Sequence, residues 1–268
     1  MWNSLIASAG DTNRNYQLHV IFNPASGPGT EREPNYLNEL DAGPLNDFRL
    51  AGGITHGYVA TGFGDRAVAN VKADVDAYLT GHYAGFVDGI FFDEMSNDLA
   101  DVGYYKDLHS YVQSIQSGAR TFGNPGTTFT NNPNGQFIFD ETDFVNSLDT
   151  IITFENTGTE YTTNYTSFPH LEGLDSQKIA HIIHTQSLWD ASLLDTASSR
   201  GSGFLYVTDD DLLSDNNPYD TLTSYWPQFS SDLSEHNTVV VPEPSSFLLL
   251  TTLAIATCLI QFRRRTNR

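Results

Sequence analysis

Cysteine is almost absent from this chain. The one present, Cys258, sits in the final apolar stretch, so the remainder holds no disulfide framework, no thiol nucleophile and no Cys-ligated metal site. Basic residues are also scarce: 13 Lys+Arg stand against 33 Asp+Glu in 268 residues, a formal net charge of −20. Four of the 13 are Arg263, Arg264, Arg265 and Arg268, which leaves nine basic against 32 acidic residues before Pro242. A body so acidic is repelled by polyphosphate backbones and anionic lipid surfaces, and no nucleic-acid partner is expected. Three catalytic patterns are missing as well. No GxGxxG loop marks a dinucleotide site, no GxSxG elbow marks a serine hydrolase, and no HExxH or calcium loop marks a metal centre. No cofactor and no metal are therefore expected. Aromatic residues, by contrast, make up 12%, too many for an acidic disordered chain.

What is present is an alternation of short apolar runs and helix-like segments. The runs are Leu18–Phe22, Ile54–Ala60, Gly89–Phe92, Arg120–Gly123, Thr150–Phe154, Lys178–His184 and Phe204–Thr208. Between them, 65–79 carries Val68, Val71, Val75 and Leu79 on one face at helical spacing, and Val102–Ile115 reads as a second amphipathic helix. Shorter helices are predicted at Asp140–Ser147 and Ser187–Thr196. Apolar strands alternating with helices imply a parallel sheet buried on both faces. The strand ends carry polar and turn residues: Asn23-Pro24, Thr61-Gly62, Asp93-Glu94, Asn124-Pro125-Gly126, Glu155-Asn156 and Asp209-Asp210. Chemistry gathered at the carboxyl ends of the strands predicts an α/β fold of the (β/α)8 TIM-barrel class. Only seven strands are counted, and MWNSLI at the start reads as the helix that follows a first strand, so the expected barrel lacks that strand.

Two strand ends carry the candidate chemistry. Asp93 and Glu94 close the run DGIFF, and Glu155 closes IITF. Carboxylates from different strands converging over one pocket suit glycoside hydrolysis, in which one group stays ionised and the other, its pKa raised by burial or like charge, protonates the departing oxygen. Tyr58, Phe92, Phe129, Phe137 and Trp226 are candidate surfaces for stacking a sugar ring, Tyr58 the best placed. A competing use of Asp93, Glu94 and Glu155 is a divalent ion held with His56 or His184, but no ligand motif supports it. His181 and His184 read as structural.

The two ends of the chain differ from the body. Residues 1–20 offer neither a basic nor an apolar export region. At the other end, Ser245–Phe262 is an uncharged 18-residue apolar span followed by the arginine cluster, which predicts a transmembrane helix with its arginines on the cytoplasmic side. Pro242-Glu243-Pro244, this span and the arginines together resemble a PEP-CTERM sorting signal. That resemblance implies an exosortase-type processing partner in a Gram-negative bacterium. It also implies an exported body, anchored in the inner membrane and then placed at the cell surface or outside the cell.

The body itself resembles the spherulin-4 family. The likeness is carried by Val20-Ile-Phe-Asn-Pro-Ala-Ser-Gly-Pro-Gly, Asn35-Tyr, Gly57-Tyr-Val-Ala-Thr-Gly-Phe-Gly-Asp-Arg and Val71-Lys-Ala-Asp-Val-Asp-Ala-Tyr. It continues through Asp88-Gly-Ile-Phe-Phe-Asp-Glu-Met, Asn124-Pro-Gly and Thr153-Phe-Glu-Asn. The resemblance implies a (β/α)8 barrel that includes glycoside hydrolases acting on amino-sugar-containing, galactosaminoglycan-like extracellular polysaccharide. Its functional acids map to Asp93, Glu94 and Glu155, with Asn23, Tyr58 and Asn124 lining the groove. Family members open with a further strand and a signal peptide, so the start at Trp2 is expected to be internal to a longer product or to mark a lost strand. The expected organisation is a barrel over 1–233, a linker over 234–241 and a sorting segment over 242–268 with its membrane helix at 245–262. The alternative function is a catalytically silent carbohydrate-binding or structural surface protein.

Overall fold

The computed structural model describes residues 1–126, 142–167, 171–211 and 217–239. All seven apolar runs are strands: β1 (His19–Phe22), β2 (Ile54–Ala60), β3 (Gly89–Asp93), β4 (Arg120–Gly123), β5 (Thr150–Thr157), β6 (Ile179–His184) and β7 (Phe204–Val207). They form one parallel sheet in sequence order. Helices fill the connections, as parallel pairing requires. They are α1 (Trp2–Gly10), α2 (Pro44–Leu50), α3 (Val68–Leu79), α4 (Val102–Ile115), α5 (Thr142–Val145), α6 (Gly158–Thr163), α7 (Ser192–Ser199) and α8 (Trp226–Val239).

The helix patterns account for the outer packing. Val71, Val75, Tyr78 and Leu79 of α3 are buried, as are Tyr105, Leu108 and Val112 of α4, each set recurring at three- and four-residue steps. The segment 65–67 precedes α3 instead of joining it. Positive φ at Gly62, Phe63 and Gly64 turns the chain there, so the helix starts at Val68. α7 runs from Ser192 to Ser199, later than the predicted 187–196. α8 continues through Val239, over the first residues of the expected linker.

Inside the curl of the sheet, alternate residues of each strand meet. Phe91, Phe122, Ile152, Ala180 and Phe204 make an apolar layer, with Tyr58 and Ile182 packed on it. At the amino-terminal side of this layer, His19 and His56 stack with ring centroids 5.1 Å apart, and the Arg120 guanidinium lies 5.2 Å from the Phe204 ring. The strand carboxyl ends project beyond the opposite side of the layer.

The sheet is an open, curled, TIM-barrel-like array, and this corrects the expected (β/α)8 barrel. Among the described residues no ladder joins β7 to β1, although the twist of seven strands brings the His19 and Phe204 rings within 5.8 Å. The two edges are bridged by the terminal helices. Trp226 Nε1 donates to Ser8 Oγ at 2.9 Å, and Asn237 Nδ2 donates to the Asn15 carbonyl at 2.9 Å. The C-terminal membrane helix is also corrected. Among the described residues no helix is long and apolar enough to cross a bilayer, and 245–262 lies outside them. Anchoring in the inner membrane, and the localisation built on it, are withdrawn with it.

Candidate active site

The site is built from three neighbouring strand ends. Asp93 is the last residue of β3, directly after the buried run Gly89–Phe92. Register puts Asp93 beside Ala60 and Phe91 beside Tyr58, all on the inner face, and the Tyr58 hydroxyl donates to Asp93 Oδ2 at 2.8 Å. Asn124 follows β4. Its backbone N–H donates to the Phe92 carbonyl and its own carbonyl accepts from Met95, so the chain is fixed on both sides of the carboxylate.

Glu155 reaches the same face through a bulge. Ile152 faces the interior layer, and strict alternation would send a residue three positions later to the opposite face. The β5–β6 register shifts between Ile152 and Phe154: Ile152 pairs Ala180, Phe154 pairs His181 and Glu155 pairs Ile182. The extra residue, Thr153, lets Phe154 pack outward against Tyr161 and Tyr165, with ring centroids at 4.7 Å in both pairs. Glu155 then points into the mouth. Re-aiming a side chain in this way is a recurrent use of bulges.

One amide joins the two acids. Asn124 Nδ2 donates to Asp93 Oδ1 and to Glu155 Oε2, both at 3.0 Å. Asn124 Oδ1 accepts from the Gly126 N–H at 3.0 Å, which orients the amide with its NH2 toward the acids. Two such bonds to one nitrogen hold the oxygens within about 6 Å of each other, and the spread of the two N–H bonds brings this to about 5 Å. On the far side of Glu155, the Tyr219 hydroxyl donates to Oε1. Burial pushes the Glu155 pKa above the ordinary carboxylate value and the Asp93 charge adds to the rise, while the bonds from Tyr219 and Asn124 oppose it.

The other sequence-predicted residues have different described partners. Glu94 is exposed and adopts φ 49°; its carbonyl accepts from Thr61 Oγ1 and the Phe63 N–H, and its charge reaches Tyr58, the donor to Asp93. Asn23 Oδ1 accepts from the Gly27 N–H at 2.9 Å and closes the turn after β1. Phe92 is buried under the helices, Trp226 lies on α8, and Phe129 and Phe137 fall outside the described residues. His56 belongs to the layer below, where burial depresses its pKa to about 3, and His184 bonds Thr185 Oγ1 at 2.9 Å. Among the described residues no group of three or more His, Cys, Asp or Glu is placed to hold a metal ion. A cleft of about 1030 Å3 lies between α1, α8 and 220–224, away from the carboxylates. Sequence inspection missed Tyr219. The run Asn217-Pro218-Tyr219 marks a turn after the last strand, but nothing in it points to Glu155.

The model of the spherulation-specific family 4, Spherulin4, matches residues 1–233. The chain belongs to this family. It is 31% identical over 242 residues to Spherulin-4 of Physarum polycephalum, a match covering 86% of this chain and 65% of that protein. The chain thus spans just under two thirds of that Spherulin-4. Two structures of a glycosyl hydrolase family 2 member from Bacteroides cellulosilyticus align over 77% of this chain and 24% of theirs. Their identities are 11% and 12% and their TM-scores 0.40 and 0.41, too low to support an argument about fold or activity. The Spherulin4 match ends before Pro242 and lends nothing to a PEP-CTERM signal. The exosortase partner, the membrane partner and the extracellular-polysaccharide partner expected from the sequence are accordingly dropped as unsupported.

Proposed function

We propose that this Spherulin4 chain is a glycoside hydrolase that cleaves amino-sugar glycosidic bonds through Asp93 and Glu155. The observation that carries the reading is the shared Asn124 amide nitrogen, 3.0 Å from one oxygen of each acid at the mouth of the sheet, a geometry that implies oxygens about 5 Å apart. Such a spacing belongs to retaining glycosidases, where the second carboxylate attacks the anomeric carbon directly. Glu155, with its pKa raised by burial, is suited to hold a proton and give it up. Asp93 accepts from Tyr58 and Asn124, both donors that suit a carboxylate.

In the first step Glu155 transfers its proton to the glycosidic oxygen as the bond from the anomeric carbon to that oxygen breaks. An Asp93 oxygen forms the new bond to that carbon, giving a glycosyl ester. In the second, the Glu155 carboxylate takes a proton from water, whose oxygen displaces Asp93 and restores both acids. Glu94 has no assigned step.

The test is hydrolysis of acetylated and partly deacetylated galactosaminoglycan oligosaccharides, followed by reducing-end assay and proton NMR of the first product. Release with retained anomeric configuration, lost by roughly a hundredfold or more in Glu155→Gln and Asp93→Asn, is the expected result. Full turnover in either variant refutes the assignment. Glycan binding without new reducing ends would make the chain a silent binding protein.

A further inference from the structure

Tyr219 stands in the segment that follows β7, far in sequence from the other groups of the site. Its hydroxyl nevertheless donates to Glu155 Oε1, and its ring lies 6.4 Å from that of Tyr206, an inward-facing residue of β7. The residue as a whole is 39% exposed, while its hydroxyl is turned to the Glu155 carboxyl. The backbone around it is tied down at the end of β7. Asp209 Oδ1 accepts from Thr223 Oγ1 at 2.8 Å and from the Ser224 N–H at 3.1 Å, and Asp210 Oδ2 accepts from Thr221 Oγ1 at 2.8 Å. The Ser224 hydroxyl also donates to Asp209 Oδ2.

We propose that Tyr219 is a positioning residue that occupies Oε1 of Glu155 and sets how readily Glu155 releases its proton. This rests on the reading of Glu155 as the acid and base of a glycosidase. Among the described residues, Asp93 from β3, Asn124 after β4 and Tyr219 after β7 act on the Glu155 carboxyl. Burial and the Asp93 charge favour the protonated carboxyl, whereas the Tyr219 and Asn124 donors favour the carboxylate. Tyr219 is itself pushed well above the ordinary phenol range by burial and by the Glu155 charge, so it remains a donor throughout the carboxylate titration. Loss of the hydroxyl therefore removes an opposing influence, and Glu155 holds its proton to higher pH. The carboxyl also loses the contact that fixes one of its two oxygens, which lowers the fraction of productive orientations.

The experiment uses the full chain and Tyr219→Phe, with two readouts. Carbon-13 NMR of labelled Glu side chains, with Glu155→Gln to assign the signal, follows the Glu155 titration without reference to activity. The pH dependence of kcat/KM on galactosaminoglycan oligosaccharides follows its use. The expected result is a Glu155 midpoint higher by about one pH unit and an alkaline limb displaced the same way. A kcat lower by roughly tenfold with little change in KM is expected beside them. Asp209→Asn, which loosens the tie on the Tyr219 segment without touching Glu155, moves the midpoint in the same direction. An unmoved Glu155 midpoint in Tyr219→Phe overturns the inference, whatever the activity. A moved midpoint in a chain that hydrolyses no glycan upholds the control of Glu155 by Tyr219 and overturns the glycosidase reading instead.

Discussion

At the scale of single residues, Asn124 links the two acids. Its amide is nearly buried, and both of its nitrogen's protons are committed to carboxylates. Asn124→Ala removes their common donor and leaves Asp93 and Glu155 facing each other across a gap. Hydrolysis is expected to fall by roughly ten- to a hundredfold, with a higher Glu155 midpoint, because one donor to the charged form is gone. Steady-state rates and the carboxyl titration check this together. Glu155 also sets the form of the pH profile. In the proposed mechanism it is protonated for the first step, and burial raises its pKa, so activity is expected to persist above the ordinary carboxylate range and to fall through the Glu155 midpoint as pH rises. A profile declining already from pH 4 upward would contradict that. Asp93 and Glu155 were readable as candidates because an acid ending an apolar strand is unusual. Tyr219 was not, because its partner is 64 residues away and reached only through folding.

At the scale of elements, β5 shows how one residue decides a face. The apolar run 150–154 reads as a buried strand from composition alone, yet strict alternation from Ile152 puts Glu155 among the helices. The bulge at Thr153 reverses that, and Phe154 takes the helix-side position against α6. Inserting one alanine between Phe154 and Glu155 is expected to turn Glu155 away from the mouth and abolish hydrolysis, with the circular dichroism of the fold kept. Asp88, just before β3, does structural work at the opposite end. It receives the Arg49 guanidinium at 2.7 Å, the Thr55 N–H at 2.9 Å and the Thr55 hydroxyl, ties that join α2, β2 and β3. Burial opposes its charge, but the Arg49 and Thr55 donors win and hold its pKa below the ordinary value. Its contribution is therefore present above the unfolded carboxylate pKa and lost as pH falls through the folded one. Asp88→Asn is expected to cost about 1–3 kcal/mol at pH 7 and to cost little at pH 2. Urea unfolding at both pH values measures the difference.

At the scale of the molecule, buried histidines make the fold sensitive to acid, His56 and His181 most strongly. His56 lies inside the sheet against His19 and Phe122, and His181 lies outside it among Phe154, Tyr161 and Tyr165. Burial lowers both pKa values to about 3. An unfolded chain protonates the same rings near their ordinary value, so below that value the unfolded state binds more protons and stability falls with pH. Each ring contributes about 1.4 kcal/mol per pH unit across the window from 6.5 down to about 3. Chemical unfolding at pH 7, 6, 5 and 4 is expected to show a steady loss, and His181→Gln is expected to make its slope shallower at the expense of lower stability at pH 7. The open seam between β7 and β1 belongs to this scale too, since it depends on how far seven twisted strands curl and on the α1–α8 contacts that bridge it.

Local order is written in the chain: which stretches are strands and which helices, that the strands run parallel, and that acids stand at two strand ends. These follow from periodicity, run length and the polarity of the turns, which act over a few neighbouring residues. The packed fold settles that the sheet stays open, that Glu155 faces the mouth, and that one asparagine and one distant tyrosine hold the two sides of Glu155. Those outcomes turn on register, on a one-residue bulge and on contacts between segments far apart in the chain, and side-chain facing in a strand reverses with a shift of a single residue.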